Sequence, residues 1–294
     1  MLGGHWQADD APAISADDRG LAYGDGLFET VRVCEGTPLF LSRHLRRLLN
    51  GLEQLAFVPV PWEAAKLEQR CQQAIAHNAI DDGVLKIVVT RGPSRRGFEP
   101  PVEAQPTLII QTVNLSPQPP SLKGKGDLSS LHLREGLHAI IAPWKVDPAS
   151  PLCYVKHLSA LDKVLAKQAA RQAGADEALF QNSDGYLTEG TASNLFAVLG
   201  KQVVSPAVGC GLLPGITRGL LVETYPIVET ELSLAALAQV TEAFLTNAVA
   251  GVRPLVRLND QPIGSGEPGP LTAAVAEHYH KLELQELERR KEAT

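Results

Sequence analysis

Lys156 stands at an unusual junction. In PLCYVKHLSALDKVLAKQAARQAG, residues 151–174, an apolar strand-like stretch of Leu152, Cys153, Tyr154 and Val155 runs into it. A helix-patterned stretch with apolar Leu158, Leu161, Val164 and Leu165 follows. A lysine that only solubilised a surface would join Lys163 and Lys167 on the polar face of that helix. Shielded from water, an ammonium loses part of its preference for the charged form, and its free amine can attack a carbonyl to form an imine. The plain alternative is a lysine whose stem lies along the core edge while its head reaches solvent.

Two further stretches carry groups that an imine chemistry needs. In GYLTEGTASNLFAV, Glu189 ends a strand and is followed at once by Gly190 and small polar residues. An inward carboxylate there accepts a hydrogen bond from a protonated ring nitrogen and holds it positive; as a bare motif, TEG is also ordinary turn chemistry. In GLLPGITRGLLVE, a Pro-Gly pair before a helical pattern puts Ile216 and Thr217 at a helix N-terminus. Free N–H groups there bind phosphate, although Thr217 as a simple cap fits equally. Arg43, in FLSRHLRRL, is a charged partner for the same phosphate or one of three solvated arginines. Together, an amine for an aldehyde, a carboxylate for a pyridine nitrogen and a phosphate cradle are the anchoring needs of pyridoxal 5'-phosphate.

The elements that must position these groups fall into two halves. GLFETVRVCEG alternates like a strand, and FLSRHLRRLLNGLEQLAF has helical spacing of Leu41, Leu45, Leu48, Leu49 and Leu52. VLKIVVTRG and PTLIIQTVNL predict two more strands, which completes a small α+β domain. The Pro-, Gly- and Lys-rich SPQPPSLKGKGD, residues 116–127, reads as a linker. Beyond it, strands are expected at His138 to Ala142 and in DEALFQN, YLTE, SNLFAVLG and TEAFLTNAV, with NSDG as a hairpin turn. Helices are expected in GITRGLLVETY and from GPLTAAVAEHYH to the charged C-terminal stretch. Strand following strand with few helices between them excludes a doubly wound parallel sheet.

Composition narrows the function classes. At 294 residues and 44% hydrophobic, the chain can bury a core, and its net charge of -6 is scattered. No polybasic face for nucleic acid or anionic lipid is present, and no apolar run approaches a membrane span. Four cysteines, Cys34, Cys71, Cys153 and Cys210, lie far apart without metal-type spacing and read as reduced thiols. The first residues, MLGGHWQADDAPA, carry no secretory pattern, so a cytoplasmic globular protein is expected, with no metal.

The motifs and their order resemble the class IV aminotransferase family, the fold-type IV pyridoxal-phosphate enzymes. The resemblance runs through DRGLAYGDGLFETVRV, RHLRRL, KHLSALDKVLA, LTEGTASNLFAV, LLPGITR and TNAVAGVRPL, and covers most of the chain. It implies an α+β fold: a small N-terminal domain over 1–115, a linker over 116–127, and a larger β-barrel-like C-terminal domain with helices over 128–294 that carries the lysine. It also implies a homodimer, with the cofactor in the cleft between the domains. Lys156 matches the imine lysine, Glu189 the ring-nitrogen partner, and Arg43, Ile216 and Thr217 the phosphate contacts. Branched-chain aminotransferases carry a Tyr five residues after the lysine and a Gly-Thr pair in the last phosphate loop. Here those places are Leu161 and Asn247-Ala248, where the Ala248 N–H can still serve.

Within the family, three stretches are similar to the 4-amino-4-deoxychorismate lyases. TRGPSRRGFEPP resembles their R-G-x-x-x-R-G pattern followed by an aromatic, at Arg91, Gly92, Arg96, Gly97 and Phe98; the others are KHL and Asn247-Ala248. Ser159 departs from the Asn of many lyases. The resemblance implies cleavage of 4-amino-4-deoxychorismate to 4-aminobenzoate and pyruvate, a step toward folate, with Lys156 as catalytic base. The small-molecule substrate carries two carboxylates, so Arg91 and Arg96 are expected to recognise it and Thr30 to line its pocket. The alternatives are transamination of D-amino or branched-chain amino acids, or a non-catalytic relative that only binds.

Overall fold

The computed structural model describes residues 14–57, 60, 62–94, 97–115 and 136–292. The expected linker at 116–127 and Arg96 lie outside them. The chain divides into two compact units, one of Met1–Ser116, Val155–Ala160 and Glu286–Thr294, the other of Pro117–Tyr154 and Leu161–Gln285. The segment bearing Lys156 therefore groups with the first unit, whereas it was expected in the C-terminal domain.

The first unit contains α1 (Arg19–Tyr23), β1 (Gly26–Cys34), β2 (Thr37–Pro38), α2 (Leu41–Gln54), α3 (Ala64–His77), β3 (Gly83–Thr90) and β4 (Thr107–Asn114). The strands form an antiparallel sheet in the order β2-β1-β3-β4, with β1 and β3 in register from Gly26 opposite Thr90 to Val33 opposite Gly83. Alternation along β1 sends Leu27, Glu29, Val31 and Val33 inward and leaves Phe28, Thr30 and Arg32 half-open. Leu41, Leu45, Leu48 and Leu52 of α2 are buried against that inner face, each contributing roughly 1.5–3 kcal/mol. The unforeseen α3 adds Leu67, Cys71, Ala74 and Ile75 to the same core.

Glu29 is the one carboxylate on the inward face of β1. His44 Nδ1 lies 2.7 Å from Oε2, and Arg47 donates from Nε to Oε1 and from Nη2 to Oε2, both at 2.7 Å. Burial pushes the Glu29 carboxyl up, but the Arg47 charge and the His44 hydrogen bond outweigh it and hold the group at about 2. A buried charge is tolerated here because it is bidentately paired.

The start of β1 leaves one edge open, since β2 pairs only with Val33 and Cys34. Residues 155–160 fill it. The Phe28 N–H donates to the Lys156 carbonyl and the Leu158 N–H to the Gly26 carbonyl, each at 2.9 Å, around an antiparallel bridge between Leu27 and His157. Val155 joins the unit's core. The expected strand over residues 152–155 is corrected to a 3-10 turn at Pro151–Tyr154, tied by Tyr154 Oη to the Pro148 carbonyl. Lys156 thus sits in an irregular segment bridged to the start of β1 rather than at a strand–helix junction.

The second unit contains β5 (Leu137–Val146), α4 (Leu161–Gln172), β6 (Glu177–Asn182), β7 (Leu187–Gly190), β8 (Asn194–Leu199), β9 (Gln202–Pro206), α5 (Ile216–Thr224), β10 (Ile227–Thr230), β11 (Val240–Asn247), β12 (Gly251–Leu258), β13 (Gln261–Pro262) and α6 (Pro270–Glu292). Strands β8-β11-β12-β5-β6-β7 close into a barrel, because β7 returns to β8 through the pair Glu189–Asn194. The sheet is mixed: β5 runs parallel to both β12 and β6, and the other ring pairs are antiparallel. Its core holds Ala139, Leu179, Leu187, Leu195, Leu245 and Leu255. α4 does not bury the expected leucine face. Ala166 and Ala170 pack on β5 and β6, and Leu161, Val164 and Leu165 are exposed, because small side chains let the helix approach the sheet closely. Among the described residues no helix is long and apolar enough to cross a membrane.

Two outcomes follow. A Cβ on Gly26 would lie 2.3 Å from the Val89 carbonyl oxygen and 2.8 Å from Leu158 Cδ1. Gly26→Ala is expected to loosen the Lys156 strand, with the Phe28 and Leu158 amides exchanging about tenfold faster or more by hydrogen-exchange mass spectrometry. Glu29, depressed from its ordinary 4.5, contributes about 3 kcal/mol above pH ~4.5 that is lost as pH falls toward 2. In Glu29→Gln that pH dependence flattens, and urea unfolding at pH 7 shows a loss of about 3–5 kcal/mol.

Candidate active site

In the first unit, strand pairing fixes the Lys156 backbone and Phe28 underlies its side chain. Nζ lies 4.4 Å from the centroid of the Phe28 ring, and Lys86 Nζ lies 5.6 Å from the same ring. Thr30 shares the half-open face of β1 with Phe28 and pairs across the sheet with Lys86, so Lys156, Phe28 and Thr30 are brought together. Ser159 Oγ donates to the Tyr23 carbonyl at 3.1 Å and the Gly24 carbonyl at 3.3 Å. Gly24 is left-handed at φ +66°, and a Cβ there would meet Ser159 Oγ at 2.3 Å, so the loop before β1 and the lysine segment fit only with glycine. Arg43 is half-buried in the first turn of α2.

Arg91 requires a correction. Its Nε donates to Asp25 Oδ2 at 2.8 Å, Nη2 to the Leu55 carbonyl at 2.8 Å and Nη1 to the Ala56 carbonyl at 3.3 Å, and its guanidinium lies 4.1 Å from the Phe57 ring centroid. Arg19 Nε holds the same Asp25 oxygen at 2.7 Å. Burial raises the Asp25 carboxyl, and the two arginines bring it below its usual range. The Arg91 guanidinium is therefore committed to the interior of the first unit and is not a substrate-recognition group.

In the second unit, Glu189 sits buried at the end of β7. Lys163 Nζ lies 2.8 Å from Oε1, and Oε2 accepts from the Leu213 N–H at 3.1 Å and from Asn194 Nδ2 at 3.4 Å. The following loop is braced by Glu177, which accepts from the Thr191 N–H at 3.2 Å and from Ser193 Oγ at 3.1 Å. Sequence analysis missed Asn194, Leu213 and Lys163; the Asn five residues beyond Glu189 was the available signal, while a backbone N–H leaves none.

Asn194 also shapes the helix entry. A Cβ on Gly215 would lie 2.0 Å from Asn194 Oδ1. Gly215 caps α5 with no side-chain hydrogen bond, so the first-turn N–H groups have no capping side chain and the helix end favours an anion. Thr217 is buried with Oγ1 3.2 Å from the Tyr279 hydroxyl, which burial and then Glu283 keep protonated well above the usual phenol range. Arg218 anchors the helix through the Pro206 carbonyl at 2.8 Å and an ion pair with Glu229. Asn247 ends β11, where its Oδ1 accepts from the Val249 N–H at 3.0 Å and the Ala250 N–H at 2.7 Å, which orders the turn holding Ala248.

The first unit provides an amine on a backbone-paired segment; the second provides a buried carboxylate and a nine-residue helix whose first turn has no capping side chain. Those donors and acceptors fit pyridoxal 5'-phosphate. The place of the ring-hydroxyl tyrosine is taken by Leu161, which is exposed. Among the described residues no cluster of three or more His, Cys, Asp or Glu is arranged to hold a metal ion.

The family model for amino-transferase class IV matches residues 26–258. A putative branched-chain-amino-acid aminotransferase of Methanocaldococcus jannaschii is 30% identical, over 92% of this chain and 91% of that one. A D-alanine aminotransferase of Bacillus licheniformis is also 30% identical, over 90% and 89%. The crystal structure of 4-amino-4-deoxychorismate lyase from Pseudomonas aeruginosa superimposes with a TM-score of 0.79 at 32% identity, covering 96% of this chain and 98% of that one. With more than half its length matched, the chain belongs to the amino-transferase class IV family, whose members are pyridoxal 5'-phosphate-dependent enzymes.

Proposed function

We propose that this chain is a 4-amino-4-deoxychorismate lyase that releases 4-aminobenzoate and pyruvate in the supply of folate, working as a cytoplasmic homodimer. The observation that carries the choice within the family is the 32% identity with the Pseudomonas aeruginosa lyase across nearly the whole of both chains. Asn247-Ala248 and the run from Arg91 to Phe98 support the same reading. Transamination of D-amino acids is the second reading, favoured by the 30% identity with the Bacillus licheniformis enzyme.

In this reading Lys156 would hold the cofactor through Nζ until the substrate amine takes its place, and Glu189 would accept a hydrogen bond from its ring nitrogen. Arg43, the N–H groups of Ile216 and Thr217, and the Asn247-Ala248 turn hold the phosphate. The bound cofactor supplies an electron sink for the carbon bearing the substrate amine. Lys156, as the free amine, takes the proton from C4 of the substrate at Nζ and returns a proton to the departing enol. Phe28 and Thr30 line the space beside that amine. Arg43 and the start of α5 orient the cofactor by its phosphate, so that the Lys156 amine meets one face of the substrate.

Incubation of the cofactor-loaded protein with 4-amino-4-deoxychorismate is expected to give 4-aminobenzoate and pyruvate in equal amounts. Lys156→Ala is expected to lower the rate by about 10²–10⁴-fold. Borohydride reduction followed by peptide mass spectrometry is expected to place the adduct on Lys156. Turnover of D-alanine with 2-oxoglutarate, with no 4-aminobenzoate from the first substrate, would establish the transaminase instead.

A further inference from the structure

Hydropathy places Lys163 on the solvated face of its helix beside Lys167, and the structure treats the two differently. Docking of Ala166 and Ala170 on β5 and β6 turns Lys163 onto Glu189, where its side chain is 29% exposed and the carboxylate 10%. Lys167, one turn later, is 56% exposed. The Glu189 carboxylate is thus gripped by a cation on Oε1 and by two neutral N–H donors, from Leu213 and Asn194, on Oε2. Ionisable groups near this pair include Asp162 on α4, and Cys153 and Asp147 from the turn before it. Cys153 is held as a neutral thiol by burial and by the Glu189 charge. Asp162 is exposed, whereas Lys163 is half-buried directly against the Glu189 carboxylate.

We propose that Lys163 is a positioning residue for Glu189: it keeps the carboxylate ionised and its plane fixed, so that a proton shared with the cofactor's ring nitrogen resides on nitrogen. The proposal rests on the assignment of Glu189 as the ring-nitrogen partner. Desolvation drives a carboxylate this deeply buried toward its neutral acid, and an ammonium at 2.8 Å opposes that. Transfer of the shared proton from oxygen to nitrogen carries positive charge away from Lys163, so the ammonium favours that side of the exchange. Burial alone would pull the Lys163 ammonium down, but the Glu189 charge and hydrogen bond hold it above its ordinary range, so it stays cationic wherever Glu189 is ionised.

The test is an acid titration of the holoenzyme, following the visible absorbance of the bound cofactor and its release by dialysis. Wild type, Lys163→Met, Lys163→Gln, Lys163→Arg and Glu189→Gln are compared, with melting of the cofactor-free proteins as the folding control. Lys163→Met and Lys163→Gln are expected to lose the wild-type spectrum and release cofactor at a pH about one to three units higher, and Lys163→Arg to restore the wild-type midpoint. Wild-type midpoints in both neutral variants, with Glu189→Gln altered, would overturn the role of Lys163 and leave Glu189 in place. Failure of the wild type to take up cofactor, or a Glu189→Gln titration identical to wild type, would overturn the Glu189 assignment and the proposal with it.

Discussion

The open edge of β1, and the two main-chain hydrogen bonds that fill it, decide where the amine stands. Phe28 and Gly26 bind the lysine segment through N–H and C=O groups, so main-chain pairing sets where the Lys156 backbone lies. The strand that receives it is stiff for a separate reason. Glu29, one residue along, faces inward to a bidentate arginine and a histidine, and alternation keeps that charge cluster off the half-open face where Phe28 and Thr30 meet the lysine. Strength and chemistry occupy opposite sides of one strand.

The second unit solves a different problem, a buried carboxylate whose two oxygens must be supplied with hydrogen-bond donors. The same two residues that close the barrel, Glu189 and Asn194, are paired across strands and joined again through side chains and Leu213. Glu177 braces the loop between them from the other side of Gly190. Because ring closure and charge stabilisation use one pair, the acid cannot drift without opening the sheet. The start of α5 is tied into this arrangement through the close approach of Gly215 to Asn194.

Much of this was legible in the residues. Period-two alternation marked β1, short apolar runs marked β3, β4, β6, β8 and β11, and the leucine spacing marked α2, because those signals are local. Strands β9, β10 and β12 escaped notice; β12 carries Pro254 and β9 ends in Pro206, which break the pattern that a central strand should show. The face of α4 was misjudged because hydropathy favours leucine, whereas contact with a sheet selected Ala166 and Ala170. Lys156, Glu189 and the α5 entry were identifiable by chemical type and order. Arg91 was misread because its partners, Asp25, Leu55 and Ala56, lie far off in sequence. Lys163 gave no sign of its partner, since a helix surface lysine looks the same whether water or a carboxylate waits for it.

The first unit is assembled from three distant parts of the chain, and that has a consequence for the order of its birth. On the ribosome the sheet around β1 is made first, with an unsatisfied edge at Gly26–Phe28 that invites stray pairing until residues 155–160 emerge. Glu68 and Glu35 wait longer still, for Arg290 and Lys291. The segment bearing Lys156 is therefore added after the sheet it pairs with and before the Arg290 and Lys291 contacts that complete the unit.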